Sequence, residues 1–238
     1  ILQPGIVQPD WRLVLVNAIY LKSQWAIQFD SEATQPEEFY LTKDKAIRVS
    51  MMRQTDSFSY YESSTLQAIN MPYKADDLSM IVLLPKEREG LAAFEKMLTF
   101  ELLKEVNNAL LTQALIRIEL SFPKFQIESS FSLKNKLKAM GMKDAFQYGP
   151  ADYSGINGNR ELFIGDVIHK GFIEVDEKGT EAAAATAALS GDGDCKRQKD
   201  PIVFRADHPF MYLIRDNRTG SILFIGRLVT PPVASNAK

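Results

Sequence analysis

Residues 179–199 restrict the fold of this 238-residue chain more than any other stretch, because they follow neither the strand period nor the helix period. After Gly179 come Thr180, Glu181 and a run of alanines to Ala188 broken only by Thr186, then Ser190-Gly191-Asp192-Gly193-Asp194. The alanines alone favour a helix, but the Gly/Asp/Ser segment cannot continue one. Strand-like runs stand on both sides. Residues 161–177 carry apolar positions at Leu162, Ile164, Val167, Phe172, Ile173 and Val175, and residues 210–214 open a second apolar run. A connection this long inside a compact chain is uncommon and is usually either functional or disordered. The fold must therefore hold, between two strands, a long segment that builds no core.

Elsewhere the pattern is mainly β. Residues 13–21 form a continuous apolar, β-rich run, which predicts a strand covered on both faces with neighbours on either side. A polar stretch from Asp30 to Arg48 follows. Residues 58–61, 66–71 and 79–84 predict short strands, separated by turn signals at Pro72, at Ala75-Asp76-Asp77 and at Pro85. Between Leu91 and Leu111 the apolar residues recur at helical spacing, predicting one helix or two short ones. Alternation returns over residues 116–127, where Pro123 favours an edge, a bulge or a bend. A further helix is predicted from a Ser132 cap to a Gly141 stop. The chain closes on two strand-like runs joined by Asp216-Asn217-Arg218-Thr219-Gly220, a hairpin turn.

Composition removes several function classes. Lys+Arg 28 against Asp+Glu 30 leaves a formal charge of −2, and the densest basic group, Lys196, Arg197 and Lys199, is flanked by Asp192, Asp194 and Asp200. Nucleic-acid binding needs a local cationic excess, so no nucleic-acid partner is expected. A single cysteine excludes an intrachain disulfide framework and any zinc site built on several thiolates. No run approaches the roughly 20 apolar residues of a membrane-spanning helix, so no membrane partner is expected. The opening residues lack a Met, a basic start and a long apolar stretch, and a preceding segment is expected.

No constellation of catalytic residues is present. There is no Gly-x-Ser-x-Gly elbow, phosphate-binding loop or His-Glu-x-x-His, and the histidines are only His169 and His208. The chain is not expected to be an enzyme, and neither a metal nor a cofactor is expected. Asp192-Gly193-Asp194 begins like a calcium loop, but no Glu follows at the required distance. Cys195 beside Lys196 has no orienting histidine near it in sequence. His169, mid-strand, reads ordinarily as a hydrogen-bonded structural residue. Asn217-Arg218-Thr219 matches a glycosylation acceptor at Asn217, a short pattern that a turn also produces.

Two motifs then point to one family. Glu177-Lys178-Gly179-Thr180-Glu181-Ala182-Ala183-Ala184-Ala185-Thr186 resembles the hinge of a serpin reactive-centre loop, and Ala206-Asp207-His208-Pro209-Phe210 resembles the family's C-terminal signature. Leu15-Val16-Asn17-Ala18-Ile19-Tyr20 with Trp25, Phe122-Pro123-Lys124-Phe125, Leu137-Lys138-Ala139-Met140-Gly141-Met142 and Phe224-Ile225-Gly226-Arg227 agree with it. The resemblance implies an α+β fold of mixed sheets with a few helices and an exposed reactive-centre loop at about residues 177–203. Residues 1–232 would be the C-terminal portion of a single serpin domain lacking its N-terminal helical part, followed by a tail at 233–238. The missing part is expected to precede Ile1, in the same chain or as a companion chain.

By that resemblance the protein is a suicide-substrate inhibitor. A target serine protease attacks the loop and becomes acylated, and the loop inserts as a strand and carries the protease with it; serpin loop insertion is a standard example of strand addition. The hinge composition suits both an exposed and an inserted life, since only Glu181 is charged between Gly179 and Ser190. Asn17 and His169 correspond to the polar pair under the point where the sheet opens, and Lys124 and Glu177 to the ion pair at its top, near Trp25. The family spacing places the scissile bond at Gly193, about sixteen residues after Glu177. Lys196 or Arg197 suits a trypsin-like protease better, and Asp194 suits one that cleaves after Asp. The alternatives are a non-inhibitory serpin-like binding protein and an inactive fragment. An extracellular location is the expectation, with an intracellular one left open.

Overall fold

The computed structural model describes residues 11–180 and 200–234. The strands are, in chain order, β1 (Leu13–Tyr20), β2 (Ser23–Gln24), β3 (Gln35–Thr42), β4 (Lys45–Glu62), β5 (Leu66–Pro72), β6 (Leu78–Pro85), β7 (Ile116–Pro123), β8 (Phe125–Ser132), β9 (Ile164–Val175), β10 (Gly179–Thr180), β11 (Ile202–Arg205), β12 (Phe210–Asp216) and β13 (Ile222–Leu228). The helices are α1 (Leu91–Met97), α2 (Phe100–Thr112), α3 (Lys134–Ala139) and α4 (Ser154–Asn157). The chain divides into two compact units: one is Ile1–Leu21 with Ile127–Ile173, the other Lys22–Gln126 with Glu174–Lys238.

The first unit is built on a three-stranded sheet ordered β1-β9-β8, in which β1 runs parallel to β9. Buried Phe146, Ile164 and Val167 gather Leu13, Leu133, Leu137 and Tyr153 into its core. β1 lies at the sheet edge, and Leu15 and Val16 are each 42% exposed. The expectation of a strand covered on both faces is thus corrected: among the described residues β9 is its single strand neighbour, and no layer covers those side chains. The predicted cap of α3 is also displaced. The residue before the helix is Leu133, while the Ser132 hydroxyl accepts from the Lys134 N–H at 3.3 Å and donates to Asp166 at 2.5 Å.

In the second unit the strands pair in the order β11-β7-β4-β5-β6-β12-β13, with β3 on β4. The predicted strands at 58–61, 66–71 and 79–84 are present, the first as the end of the long β4. The polar stretch after Asp30 holds β3, where Phe39 is the wholly buried side chain. The helical stretch is two helices, and α2 is capped by Thr99, whose hydroxyl accepts from the Leu102 N–H. Leu91, Phe94, Val106 and Leu110 from these helices pack on Leu66, Ile81, Leu83, Met211 and Leu213. Burial of such aliphatic and aromatic groups contributes about 1.5–3 kcal/mol each.

The motif residues explain themselves in this frame. Phe122 and Phe125 pack on Phe210, with ring centroids 5.4 and 6.3 Å away. Tyr212 stands opposite Gly226 in the β12–β13 ladder, and a Cβ at Gly226 would come within 2.4 Å of the Tyr212 ring. His208 is buried, with Nδ1 2.8 Å from the Asp207 carboxylate and Nε2 2.6 Å from the Pro85 carbonyl oxygen. The hairpin turn forms as predicted: the Asp216 carboxylate accepts from the N–H groups of Arg218 and Thr219, and Gly220 takes φ +73°.

Candidate functional site

The chain leaves β9 at Val175 and turns at once. The Asp176 carboxylate accepts from the backbone N–H groups of Lys178 (2.9 Å) and Gly179 (3.0 Å), an arrangement that side chains of this length impose on a turn. Gly179 and Thr180 then pair antiparallel with Gln24 and Ser23. Gly179 has φ +149°, and a Cβ there would stand 2.3 Å from the Ser23 carbonyl oxygen, so the position admits only glycine.

Trp25 and Tyr73 form the floor of this turn. The Trp25 backbone N–H donates to the Lys178 carbonyl and its indole Nε1–H to the Asp176 carbonyl, both at 2.9 Å. Its ring stacks on Tyr73 with centroids 4.5 Å apart and planes 9° from parallel. The Tyr73 hydroxyl lies 2.8 Å from that of Thr180, and both residues are wholly buried. Burial pushes the Tyr73 phenol far above the usual tyrosine range.

Glu177 sits within the same turn. Lys124 Nζ donates to one carboxylate oxygen and the Thr34 hydroxyl to the other, each at 2.8 Å. Burial raises the Glu177 pKa, but the hydrogen bonds from Lys124, its own backbone and Thr34, with the Lys124 charge, outweigh it and hold the carboxyl below the usual glutamate range. The Glu177 carbonyl also accepts from the Phe29 N–H at 2.9 Å. Thr34 follows the 3-10 turn Ser31–Ala33, which Asp30 caps by accepting from the Glu32 N–H.

In the three-stranded sheet Asn17 stands directly opposite His169 across the parallel β1–β9 ladder. Asn17 Nδ2 is 3.4 Å from His169 Nδ1, and the Phe131 ring lies 5.4 Å from the imidazole. At the next position Lys170 pairs with Glu128 at 2.5 Å. The predicted residues thus meet in pairs, Asn17 with His169 and Lys124 with Glu177, and Trp25 lines the turn that holds Glu177.

Two contributors escape the sequence reading. Thr34 lies in a polar stretch without periodicity, and Tyr73 follows Pro72 at what reads as a turn. No local signal marks either; their roles come from pairing across more than 100 residues of sequence. Glu181, Ala182, Ala183, Ala184, Ala185 and Thr186 of the hinge, and Gly193, Asp194, Lys196 and Arg197 of the scissile region, lie outside the described residues. Asn217 has its amide engaged: Nδ2 donates to the Asp76 carbonyl and to Ser79 Oγ, both at 2.8 Å, and Oδ1 accepts from Arg215. Among the described residues no cluster of His, Cys, Asp or Glu could hold a metal ion, and no helix is long and apolar enough to cross a membrane.

The model of the family described as serpin (serine protease inhibitor) matches residues 1–231. Human Serpin B3 is 44% identical over 95% of the chain and 58% of its own length. The leukocyte elastase inhibitor of Xenopus laevis is 42% identical over 97% of the chain and 61% of its length. The structures of uncleaved ovalbumin and of Serpin48 from the insect Tenebrio molitor each superpose with a TM-score of 0.81 at 32% identity, over 97% of this chain and 57% and 59% of theirs. The chain therefore spans about three-fifths of the relatives it matches. With the family model covering nearly every residue, and with mixed sheets and few helices like those of its structural neighbours, the chain belongs to the serpin family.

Proposed function

We propose that the protein carrying this chain is a suicide-substrate inhibitor of a serine protease. The observation that carries the reading is the parallel pairing of β1 with β9, to whose C-terminal end β10 is tied by the three-residue connection Asp176-Glu177-Lys178. Two neighbouring parallel strands accept one antiparallel strand between them, and the segment after β9 has the right polarity to be that strand. Insertion replaces one parallel ladder with two antiparallel ones, on the order of ten more backbone hydrogen bonds at ~1 kcal/mol net each. The alanines of the hinge fit a central strand without steric conflict. In this reading the Asn17–His169 contact is the latch between the strands, and Lys124–Glu177 with Trp25 holds the hinge before cleavage.

The target is proposed from the loop's side chains. Lys196 and Arg197 suit a pocket bearing an acid, which makes the protease trypsin-like, whereas one relative is named for leukocyte elastase. Incubating the intact protein with trypsin-like, elastase-like and Asp-cleaving proteases should give a covalent, SDS-resistant complex with the first. Mass spectrometry of the released C-terminal peptide should then place the scissile bond after Lys196 or Arg197. Release beginning at Asp194 or Cys195 would move it to Gly193 or Asp194. If every active protease only cleaves the loop and the melting temperature does not rise afterwards, the protein is a non-inhibitory binding protein instead.

A further inference from the structure

Thr180 is the second residue of β10 and the last residue of the hinge among the described residues. The ladder holding it to β2 is two residues long, Gly179 with Gln24 and Thr180 with Ser23. The side-chain bond between Thr180 and Tyr73 is therefore a large share of what keeps β10 docked. Both hydroxyls are buried, so each is the other's means of satisfaction. Tyr73 is fixed independently of Thr180: its ring stacks on Trp25, and its backbone N–H donates to the Leu78 carbonyl at 2.9 Å. When β10 detaches, Thr180 leaves and Tyr73 stays.

We propose that Tyr73 is a positioning residue of the insertion step. Its hydroxyl holds Thr180 on β2 and sets how fast β10 lets go, and thereby how the attacked molecules divide between trapped protease and released product. The second half of this statement rests on the inhibitor reading; the first does not. Removing either hydroxyl leaves its partner buried and unsatisfied. For Tyr73→Phe the stranded group is the Thr180 hydroxyl, and it is stranded only while β10 is docked. The penalty then falls on the docked state alone, and release accelerates.

The test uses the intact protein with Tyr73→Phe, which keeps the ring and its stack, Thr180→Val, which keeps the branched shape, the double variant, and Thr180→Ser, which keeps the hydroxyl. Amide hydrogen exchange of residues 176–180, followed by mass spectrometry, should be about tenfold faster in Tyr73→Phe and in Thr180→Val. The double variant should exchange more slowly than either single one, because neither hydroxyl is then left buried and unsatisfied. Thr180→Ser should retain slow exchange. Unchanged exchange in Tyr73→Phe, or fully additive effects in the double variant, overturns the anchor. With a protease that the wild type traps, Tyr73→Phe should raise the trapped fraction; faster exchange with an unchanged fraction overturns the link to trapping. A wild type that is cleaved without any covalent complex removes the inhibitor reading, and the exchange result then decides the anchor by itself.

Discussion

Glu177 accepts from Lys124 and Thr34 through its side chain and from Phe29 through its backbone, so one residue ties two distant segments, around Lys124 and around 29–34, to the turn after β9. Its carboxyl titrates below the usual glutamate value of 4.5. A depressed pKa of this kind stabilises the fold fully above the unfolded value and loses that contribution as pH falls through the folded one. Thermal denaturation of Lys124→Met should therefore show a melting temperature below that of the wild type at neutral pH, with the gap closing below about pH 4.5. A gap independent of pH would mean that packing of the lysine stem, not the charge pair, carries the effect. At Gly179 the constraint is steric. Gly179→Ala should expel β10 from β2 at a cost of about 1–3 kcal/mol, seen as a lower urea midpoint with an unchanged slope. Lys124, Glu177 and Asn17 are legible in the sequence because each sits inside a recognisable motif, and His169 only through its correspondence to the family's polar pair. Tyr73 and Thr34 are not, since a buried hydroxyl reads in sequence like any turn or loop residue until the chain that meets it is known.

At the scale of elements, apolar period reveals strands and helices where one face is buried and fails where tertiary pairing alone makes the strand. β5, β6, β12 and both helices of the 91–112 stretch carry that period, and the structure has them. β3 reads QPEEFYLT and β11 only IVFR; each gains its strand character from a partner, β4 and β7 respectively. β1 shows the converse, being apolar enough for a central strand yet lying at an edge. The hinge is an expectation from resemblance rather than from period, and its alanine-rich composition makes a prediction at this scale. An inserted strand must donate along both ladders, and proline cannot. Ala184→Pro should leave loop cleavage by the protease intact, abolish the SDS-resistant complex, and cancel the rise in melting temperature after cleavage. Trapping by the proline variant at the wild-type level would show that this part of the loop does not enter a sheet.

For the molecule as a whole, the two larger sheets have, among the described residues, edges of a kind that soluble proteins usually blunt. β1 pairs on one side with β9 and bears Leu15, Val16 and Tyr20 at the surface; β13 pairs on one side with β12 and bears Ile222, Leu223 and Ile225 there. An edge with free backbone groups and apolar side chains is a template for another strand. Charged side chains are sparse along both: β1 has none within LVLVNAIY, and β13 has only Arg227, which is paired with Glu95. Lysine on such an edge opposes pairing, because its charge would have to be desolvated in the new ladder. Expressed as these 238 residues alone, the chain should associate at roughly micromolar to millimolar concentration, the range in which exposed strand edges make chains aggregation-prone. Sedimentation velocity should show Leu15→Lys and Ile225→Lys each lowering the associated fraction and the double variant lowering it further, since each blunts a separate edge. The substituted positions are about half exposed, so melting should move little. A chain that stays monomeric without the lysines, or associates equally with them, would place the contact on some other surface than these two strands.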